Sequence, residues 1–266
     1  MPDTRVVRGR RPTARAAPGA LDRPGRFPLL LVLCLVAAAA HAGPPFLTDD
    51  PQPVDVRHAE INAIYQETRS SDGRSGAMSG EVNYGCARET QCHLALPAAW
   101  ARPGAGAFRA GLGDVELGVK YRFLDDDEAG WSAAIYPTVM LPTGDASRGL
   151  GNGRAQLLLP LWVQRSAGPW SLDAGIGWLA NPARDARNSW FAGLLAQRSF
   201  GDRFSLGAEV FRKSSAAPGQ PSSIGFNVGA IVNVDSHHNL LFSAGRGLSG
   251  MQTNRRSIFL GYQLEL

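Results

Sequence analysis

A serine and two histidines are neighbours near the C-terminal end of the chain, in the stretch Asp235-Ser236-His237-His238. Acyl transfer needs a hydroxyl within hydrogen-bond reach of a base, and enzymes that modify lipids place a Ser and a His near the lipid surface. Adjacent side chains of a strand point to opposite faces, so His237 and His238 cannot both serve one site. The stretch also lies on a predicted short turn and lacks the His-x-Ser order of the deacylases. We therefore expect a solvated turn and no enzyme activity.

Glycine clusters and scattered histidines are the other patterns with a chemical interpretation. Residues 149–153 read Gly-Leu-Gly-Asn-Gly after a predicted strand, but Pro160 interrupts the following segment, where a nucleotide site would need a helix. His58 and His93 have no Cys, Asp or Glu clustered at metal-ligand spacing. The sequence predicts neither a cofactor nor a metal ion.

Two cysteines, Cys86 and Cys92, are separated by five residues. This spacing fits neither a C-x-x-C redox pair nor a four-ligand zinc site. If both flank a tight hairpin, cross-strand Cβ distances allow a structural disulfide. We favour that disulfide, with two free thiols as the alternative.

The basic charge of the chain is concentrated at its N-terminal end. The sequence has 27 Lys and Arg against 23 Asp and Glu, but residues 1–42 contain seven of the Arg and two of the Asp. The rest is near neutral, so nucleic acid is not an expected partner. Residues 29–40 form an apolar run, followed by Ala40-His41-Ala42 as a small-x-small cleavage site. This pattern predicts a secretory signal peptide over residues 1–42, cleaved near Ala42.

Beyond the leader, apolar residues recur at every second position. From Val115 to Phe123 each alternate residue is apolar, and residues 170–178 repeat the pattern. Most of the twelve such segments have 9 to 12 residues, close to the length of a tilted strand that crosses a bilayer. The predicted segments are 56–67, 78–86, 92–97, 114–123, 131–141, 155–165, 169–179, 189–199, 203–212, 223–233, 239–246 and 256–266.

The connections between these segments alternate in length. Those after even-numbered segments are short, namely residues 87–91, 124–130, 166–168, 200–202 and 235–238. Those after odd-numbered segments are generally longer and rich in Gly, Pro, Ser or Asn, namely residues 68–77, 98–113, 142–154, 180–188, 213–222 and 247–255. Short periplasmic turns and longer extracellular loops are typical of outer-membrane β-barrels. The sequence therefore predicts an all-β, antiparallel transmembrane barrel of about 12 strands, over residues 56–266.

Aromatic residues and the last strand agree with a barrel in lipid. Aromatic side chains fall near predicted strand ends, as interfacial girdles do; they are Trp131, Trp170, Trp178, Trp190 and Tyr262. The C-terminal strand is of the kind that the barrel-assembly machinery recognises, although Leu266 stands where an aromatic residue is usual. We expect outer-membrane lipid and that machinery as partners, in a Gram-negative outer membrane.

Three stretches carry a family resemblance. Residues 111–123 read GLGDVELGVKYRF, residues 141–153 read LPTGDASRGLGNG, and a GPWSLDAGIGW strand follows. These motifs, with TDDPQPV at residues 48–54, resemble the outer-membrane transporter-like family labelled "putative MetA-pathway of phenol degradation". The resemblance extends over residues 48–266 and implies a barrel that takes up aromatic or other hydrophobic compounds.

Charged residues on the polar face of the strands are expected to line the lumen. They are Glu116, Lys120, Arg122, Asp173, Arg198, Glu209 and Arg246. Their mixed signs favour an internal salt-bridge network at least as much as an ion-selective pore. Residues 43–55, rich in Pro and Asp, are expected either to plug the lumen or to stay in the periplasm. The predicted function is passive uptake of small solutes, aromatic or hydrophobic ones among them, with a sealed structural barrel or a lipid-modifying barrel enzyme as alternatives.

Overall fold

The computed structural model describes residues 45–250 and 252–266, so the predicted signal peptide lies outside the described residues. None of the described helices is long and apolar enough to span a membrane. The described strands are β1 (Ala59–Arg69), β2 (Gly73–Ala87), β3 (Thr90–Pro103), β4 (Arg109–Leu112), β5 (Val115–Asp126), β6 (Trp131–Ile135), β7 (Thr138–Leu141), β8 (Gln156–Ala167), β9 (Trp170–Ala180), β10 (Ser189–Ser199), β11 (Phe204–Lys213), β12 (Ser223–Asn233), β13 (His238–Ser249) and β14 (Arg256–Glu265).

The strands form one closed antiparallel barrel. β1 pairs with β14 from Glu60 opposite Glu265 to Arg69 opposite Arg256, which closes the sheet. β4 and β5 both pair with β3, and β6 and β7 both pair with β5 and with β8, so each of these pairs is one interrupted strand. The 14 segments thus make 12 strands, which confirms the fold predicted from the sequence. Closure pairs the backbone groups that an open sheet edge would leave without partners in lipid.

Prolines explain the interruption between β6 and β7. Pro137 lies between them, and Pro160 lies in the stretch of β8 that faces the break. Neither has a backbone N–H, so the ladder loses donors at this point. Carbonyl groups still accept there: Tyr136 N donates to Pro160 O at 3.2 Å and Val119 N donates to Pro137 O at 3.0 Å.

One end of the barrel carries short turns and the other carries longer loops, which we call the short-turn end and the long-loop end. Two of the predicted loops are wrong in extent. Of residues 98–113, most belong to β3 and β4, and of residues 68–77 only 70–72 connect β1 to β2. Both stretches are rich in small residues, so they show no regular alternation of large apolar side chains, while their backbones pair normally.

The outward face of the barrel is apolar. Large side chains remain exposed at alternate positions, including Met78 at 64%, Leu194 at 67% and Leu172 at 55%. The predicted girdle aromatics Trp131, Trp170, Trp178, Trp190 and Tyr262 are also exposed, by 40 to 46%. An exposed apolar belt with aromatic side chains near the strand ends is the surface that a bilayer requires.

The inward face packs aromatic rings against glycine. A Cβ on Gly175 would lie 2.0 Å from the Trp162 ring, and one on Gly177 would lie 2.2 Å from the Phe191 ring. The two rings are neighbours, with centroids 5.6 Å apart. Trp162 and Phe191 belong to an inward apolar cluster with Tyr136, Met140, Leu158 and Leu179. Glycine on the wall thus makes room for a small core within the lumen.

Gly175→Ala should destabilise the barrel by about 2 kcal/mol, because the new methyl group overlaps the Trp162 ring. The measurement is the urea midpoint of unfolding in lipid vesicles. Gly80→Ala is the matched control, since a Cβ on Gly80 meets no atom within 4 Å. Equal midpoints for the two variants would contradict the packing of Trp162 on Gly175.

Candidate functional site

Residues 45–54 lie inside the barrel, and we call them the plug. Phe46, Thr48 and Asp49 are buried, each with 5% or less of its surface exposed. The Phe46 ring rests against the wall where two glycines face each other: a Cβ on Gly207 or Gly229 would lie 2.6 or 2.8 Å from it. The plug therefore contacts the inward face of the wall strands.

A buried carboxylate on β11 binds the beginning of the plug. Glu209, 1% exposed, accepts the backbone N–H of Leu47 at 2.8 Å and that of Thr48 at 2.9 Å. Asn227 on the neighbouring strand donates its amide to the same carboxylate. A carboxylate removed from water needs such donors, and hydrogen bonds to a charged group are stronger than neutral ones. The backbone N–H groups of the plug therefore stabilise a carboxylate that the wall has buried.

A buried ammonium group on β5 binds the middle of the plug. Lys120 Nζ lies 3.0 Å from Asp49 Oδ2 and donates to Asp50 O at 3.1 Å. It also lies 5.2 Å from the centroid of the Tyr136 ring. Opposite charge, carbonyl acceptors and an aromatic face together replace the water that Lys120 has lost.

Gln52 connects the plug to three further wall residues. Its side-chain amide donates to Ser132 Oγ at 3.1 Å and to Gln164 Oε1 at 3.2 Å. Its carbonyl oxygen accepts from Arg122, which also pairs with Glu89 at 2.6 Å. Because these three wall residues lie on β5, β6 and β8 and Glu209 lies on β11, the plug is bonded to both sides of the barrel.

The plug divides the space inside the barrel into two cavities. The cavity on the long-loop side measures about 290 Å³. Its apolar lining is Phe46, Leu47, Met140, Leu150, Phe211 and Phe259. The cavity on the short-turn side measures about 500 Å³. Its carboxylates are Asp49, Asp50, Asp55, Glu60, Glu81 and Glu265, with Lys120 as a cation among them. A compartment with several large apolar side chains and an acidic one thus follow each other along the barrel axis.

Five of the seven charged residues expected in the lumen point inward. Lys120 and Glu209 bind the plug, and Arg122 reaches it through Gln52. Asp173, 3% exposed, accepts from Gln164 at 2.7 Å and from Ser171 at 2.6 Å. Glu116 is buried and lines the cavity on the long-loop side. Several of these charges therefore engage the plug and their neighbours and do not line an open path.

The expectation is wrong for the other two residues. Arg198 shares the outward face of β10 with Leu194, and its guanidinium lies 5.4 Å from the Trp170 ring centroid. Arg246 shares the outward face of β13 with Phe242 and is exposed. Both lie near strand ends, where a long cationic side chain reaches interfacial water while its stem covers apolar surface. Charge alone therefore does not identify the inward face near a strand end.

Cys86 and Cys92 form a disulfide, with Cα atoms 5.9 Å apart, across the β2–β3 hairpin. The chain passes this hairpin on its way from the plug to β1. Arg57 N donates to Gly85 O at 2.9 Å, and a Cβ on Gly85 would lie 1.9 Å from Asp55 O. The cross-linked hairpin therefore supports the end of the plug that continues into β1.

The Ser-His-His stretch lies between β12 and β13, with His238 beginning β13. His237 Nδ1 is 2.9 Å from Glu265 O, and His238 Nδ1 is 2.6 Å from Tyr262 Oη. The Asp235 carboxylate accepts hydrogen bonds from the backbone N–H groups of His237 and His238, and these bonds lower the pKa of Asp235. These contacts describe a capped turn.

Sequence reasoning anticipated neither the individual contacts of the plug nor the role of the Gln156 side chain. Gln156 is 2% exposed and lines the cavity on the long-loop side, and neither its amide nitrogen nor its carbonyl oxygen has a hydrogen-bond partner among the described residues. Glutamine on an inward face is ordinary in a barrel, so no sequence signal singles it out. The Pro- and Asp-rich composition before β1 was the available signal for the plug.

Burial raises the pKa of the Asp49 carboxyl to about 6, against the opposing effect of the Lys120 charge. The docked plug therefore holds a proton on Asp49 more tightly than a plug in water, whose Asp has its ordinary pKa near 3.8. This contribution to docking is complete below about pH 4 and is lost as the pH rises through about 6.

Ion current across planar bilayers should therefore fall when the pH is lowered from 7.5 to 5, because the docked plug is favoured. The Asp49→Asn variant should lose this dependence, and Asp202→Asn, in the exposed turn between β10 and β11, should keep it. A current that rises with acidification in the wild type would contradict the assignment.

The barrel is similar to several solved structures. The COG4313 outer membrane channel from Pseudomonas putida F1 matches with a TM-score of 0.70 at 15% identity, over 85% of this chain and 100% of that one. The KdgM porin matches with 0.55 at 10% identity, over 77% and 98%. The NanC porin matches with 0.53 at 9% identity, over 78% and 100%. No curated protein sequence matches significantly. At these identities the likeness establishes the fold, that of outer-membrane β-barrels.

The family assignment comes from the sequence. A family model described as "Putative MetA-pathway of phenol degradation" matches residues 92–265. The match begins within β3 and extends into β14, which is more than half of the chain. It confirms the resemblance seen in the sequence motifs, and the chain belongs to this family of outer-membrane barrels.

Proposed function

We propose that the protein is an outer-membrane channel for passive uptake of small aromatic or hydrophobic solutes, and that the plug controls passage. The long-loop end faces the exterior and the short-turn end faces the periplasm, as in barrels of this kind. The barrel-assembly machinery and outer-membrane lipid are its partners. The observation that carries the proposal is the apolar cavity that the plug leaves on the exterior side.

The lining of that cavity suits an apolar solute. Phe46 and Leu47 form its floor, and Phe211 and Phe259 are aromatic side chains of the wall around it. A volume of about 290 Å³ accommodates a molecule with one aromatic ring. A solute in this position touches the plug itself, so binding and plug movement are coupled by direct contact.

Gln156 supports a solute that carries a hydrogen-bonding group. Its amide is buried beside the apolar lining without a partner among the described residues. A buried amide without a partner is costly, and a ligand hydroxyl would supply the missing hydrogen bond. The cavity thus combines apolar and aromatic side chains with polar ones, and the Gln156 amide is among the latter.

The acidic lining of the cavity on the short-turn side disfavours a negatively charged solute. Six carboxylates line it and only one lysine stands among them. An anion would meet this acidic compartment after passing the plug, whereas an uncharged solute would not be repelled. Neutral aromatic compounds therefore fit both compartments.

A plug-deleted protein, lacking residues 43–54, should conduct several times more current than the mature protein in planar bilayers. Deletion removes the groups that fill the middle of the lumen and leaves Lys120 and Glu209 to be rehydrated. A variant with Glu209→Gln weakens only the binding of Leu47 and Thr48, so it should show an intermediate current. A folded, plug-deleted protein that remains silent would favour the sealed structural barrel.

Gln156→Leu should reduce the uptake of phenol relative to toluene by about fivefold, which corresponds to one hydrogen bond of about 1 kcal/mol. Phenol and toluene have similar size and differ in the hydroxyl group, so the ratio isolates that contact. Uptake is measured with proteoliposomes. Gln263→Leu, in the other cavity, is the control and should leave the ratio unchanged. An unchanged ratio for Gln156→Leu would show that the amide does not contact the solute.

A further inference from the structure

Four arginines lie side by side at the long-loop end, on four neighbouring strands. Arg256 of β14 is opposite Arg69 of β1, which is opposite Arg74 of β2. Arg74 is in turn opposite Arg102 of β3. All four side chains are exposed. We call these residues the arginine row.

The arginine row belongs to the outward face of the barrel. Side chains four residues apart on a strand point to the same face. Arg74 therefore shares the face of Met78, and Arg256 shares the face of Leu260, and both of these apolar side chains are exposed. Ser75 and Ser257, at the alternate positions, line the cavity inside. The row therefore lies at the exterior edge of the apolar belt, where lipid headgroups meet the barrel.

Its charge is largely uncompensated by the protein. Residues directly opposite in an antiparallel pair have Cβ atoms only about 5 Å apart, and like charges there destabilise the pair. Within the described residues, Glu67 supplies the one ion pair recorded for the row, at 3.9 Å from Arg74. An anion from outside the chain would remove the repulsion among the remaining guanidinium groups.

The surface beneath the row is apolar and includes a large aromatic side chain. Trp100 of β3 lies two residues from Arg102 and stacks on Phe108, with ring centroids 6.1 Å apart. Met78 is 64% exposed and Leu260 is 45% exposed on the same face. A ligand that fits this surface has an anionic head at the level of the arginines and hydrocarbon below it.

We propose that the arginine row binds the phosphate groups of an anionic lipid of the outer leaflet, with the acyl chains of that lipid lying on the apolar wall beneath. Guanidinium groups match phosphate in charge and in bidentate geometry. The proposal rests on the orientation given above, with the long loops outward, and adds a lipid site that is separate from the solute path.

Outward arginines at the short-turn end provide a matched control. Arg165 lies 5.5 Å from the Trp131 ring and Arg198 lies 5.4 Å from the Trp170 ring, each measured to the ring centroid. They have the same charge and the same outward orientation but lie at the opposite edge of the belt. Changing them alters the net charge without altering the arginine row.

The test measures binding of bis-phosphorylated lipid A to the delipidated mature protein in dodecyl maltoside, by native mass spectrometry. The variant with Arg69→Gln, Arg74→Gln, Arg102→Gln and Arg256→Gln should bind at least about tenfold more weakly, since it lacks all four guanidinium groups that attract the anionic head. The Arg165→Gln, Arg198→Gln variant should bind like the wild type. Equal binding by all three proteins would overturn the proposal.

Two further ligands separate the sources of the phosphate. Inorganic pyrophosphate should not reproduce the binding of lipid A, and dephosphorylated lipid A should bind about as weakly as the fourfold variant binds lipid A. Competition by pyrophosphate at the concentration of the lipid would overturn the lipid assignment, and full binding of the dephosphorylated lipid would overturn the role of the arginines.

Thermal unfolding without lipid gives an independent readout. The fourfold variant should unfold at a higher temperature than the wild type, because the repulsion is gone, and lipid A should raise the unfolding temperature of the wild type alone. The Arg74→Gln, Arg102→Gln variant serves in its place if the fourfold variant does not fold. Bilayer conductance should be unchanged in the fourfold variant and in the Arg74→Gln, Arg102→Gln variant, so this test is independent of the proposed channel. A wild type that lipid A does not stabilise would contradict the site.

Discussion

Two buried charges, Glu209 and Lys120, determine how the lumen is filled. A charge removed from water needs neutralising or hydrogen-bonding partners, and the strands around these two side chains supply only part of that requirement. The plug supplies the rest, with backbone N–H groups for Glu209 and with backbone carbonyls and the Asp49 carboxylate for Lys120. Wall and plug are therefore complementary in charge, and each is incomplete without the other.

The shape of the wall also helps to hold the plug in place. Inward glycines such as Gly175 and Gly207 let the rings of Trp162 and Phe46 lie directly on the strand backbone. The Phe46 ring thereby fixes the beginning of the plug, next to the Leu47 N–H that Glu209 accepts. Glycine in a strand costs conformational entropy, and close ring packing offsets that cost.

The fold was predictable because its two signals are local. The alternation of apolar residues along a strand indicates which face contacts lipid. The alternating lengths of the connections indicate the up-and-down order of the strands. The extents of β3 and β4 were not predictable from alternation, since alanine and glycine at residues 98–113 do not distinguish strand from loop.

The site was less accessible to sequence reasoning. Strand alternation suffices for Lys120 and Glu209, whereas charge alone misassigns Arg198, whose long side chain is stable on the outward face close to the interface. The plug depends on contacts between residues 162 positions apart, such as Leu47 with Glu209, and no local pattern encodes such a pair. The arginine row emerges only from the strand register, because its four members are dispersed between residues 69 and 256.

For the proposed movement of the plug, the tight turn between the plug and β1 sets how far the plug can travel from the lumen. His58 N donates to Asp55 O at 2.9 Å and Arg57 has a φ of 68°, so the chain reverses sharply at the rim. A displaced plug of ten residues stays within about 35 Å of this turn. Its local concentration at the binding groups is then of millimolar order, far above that of any free peptide. Closure is a unimolecular event whose rate does not depend on how many barrels the membrane contains.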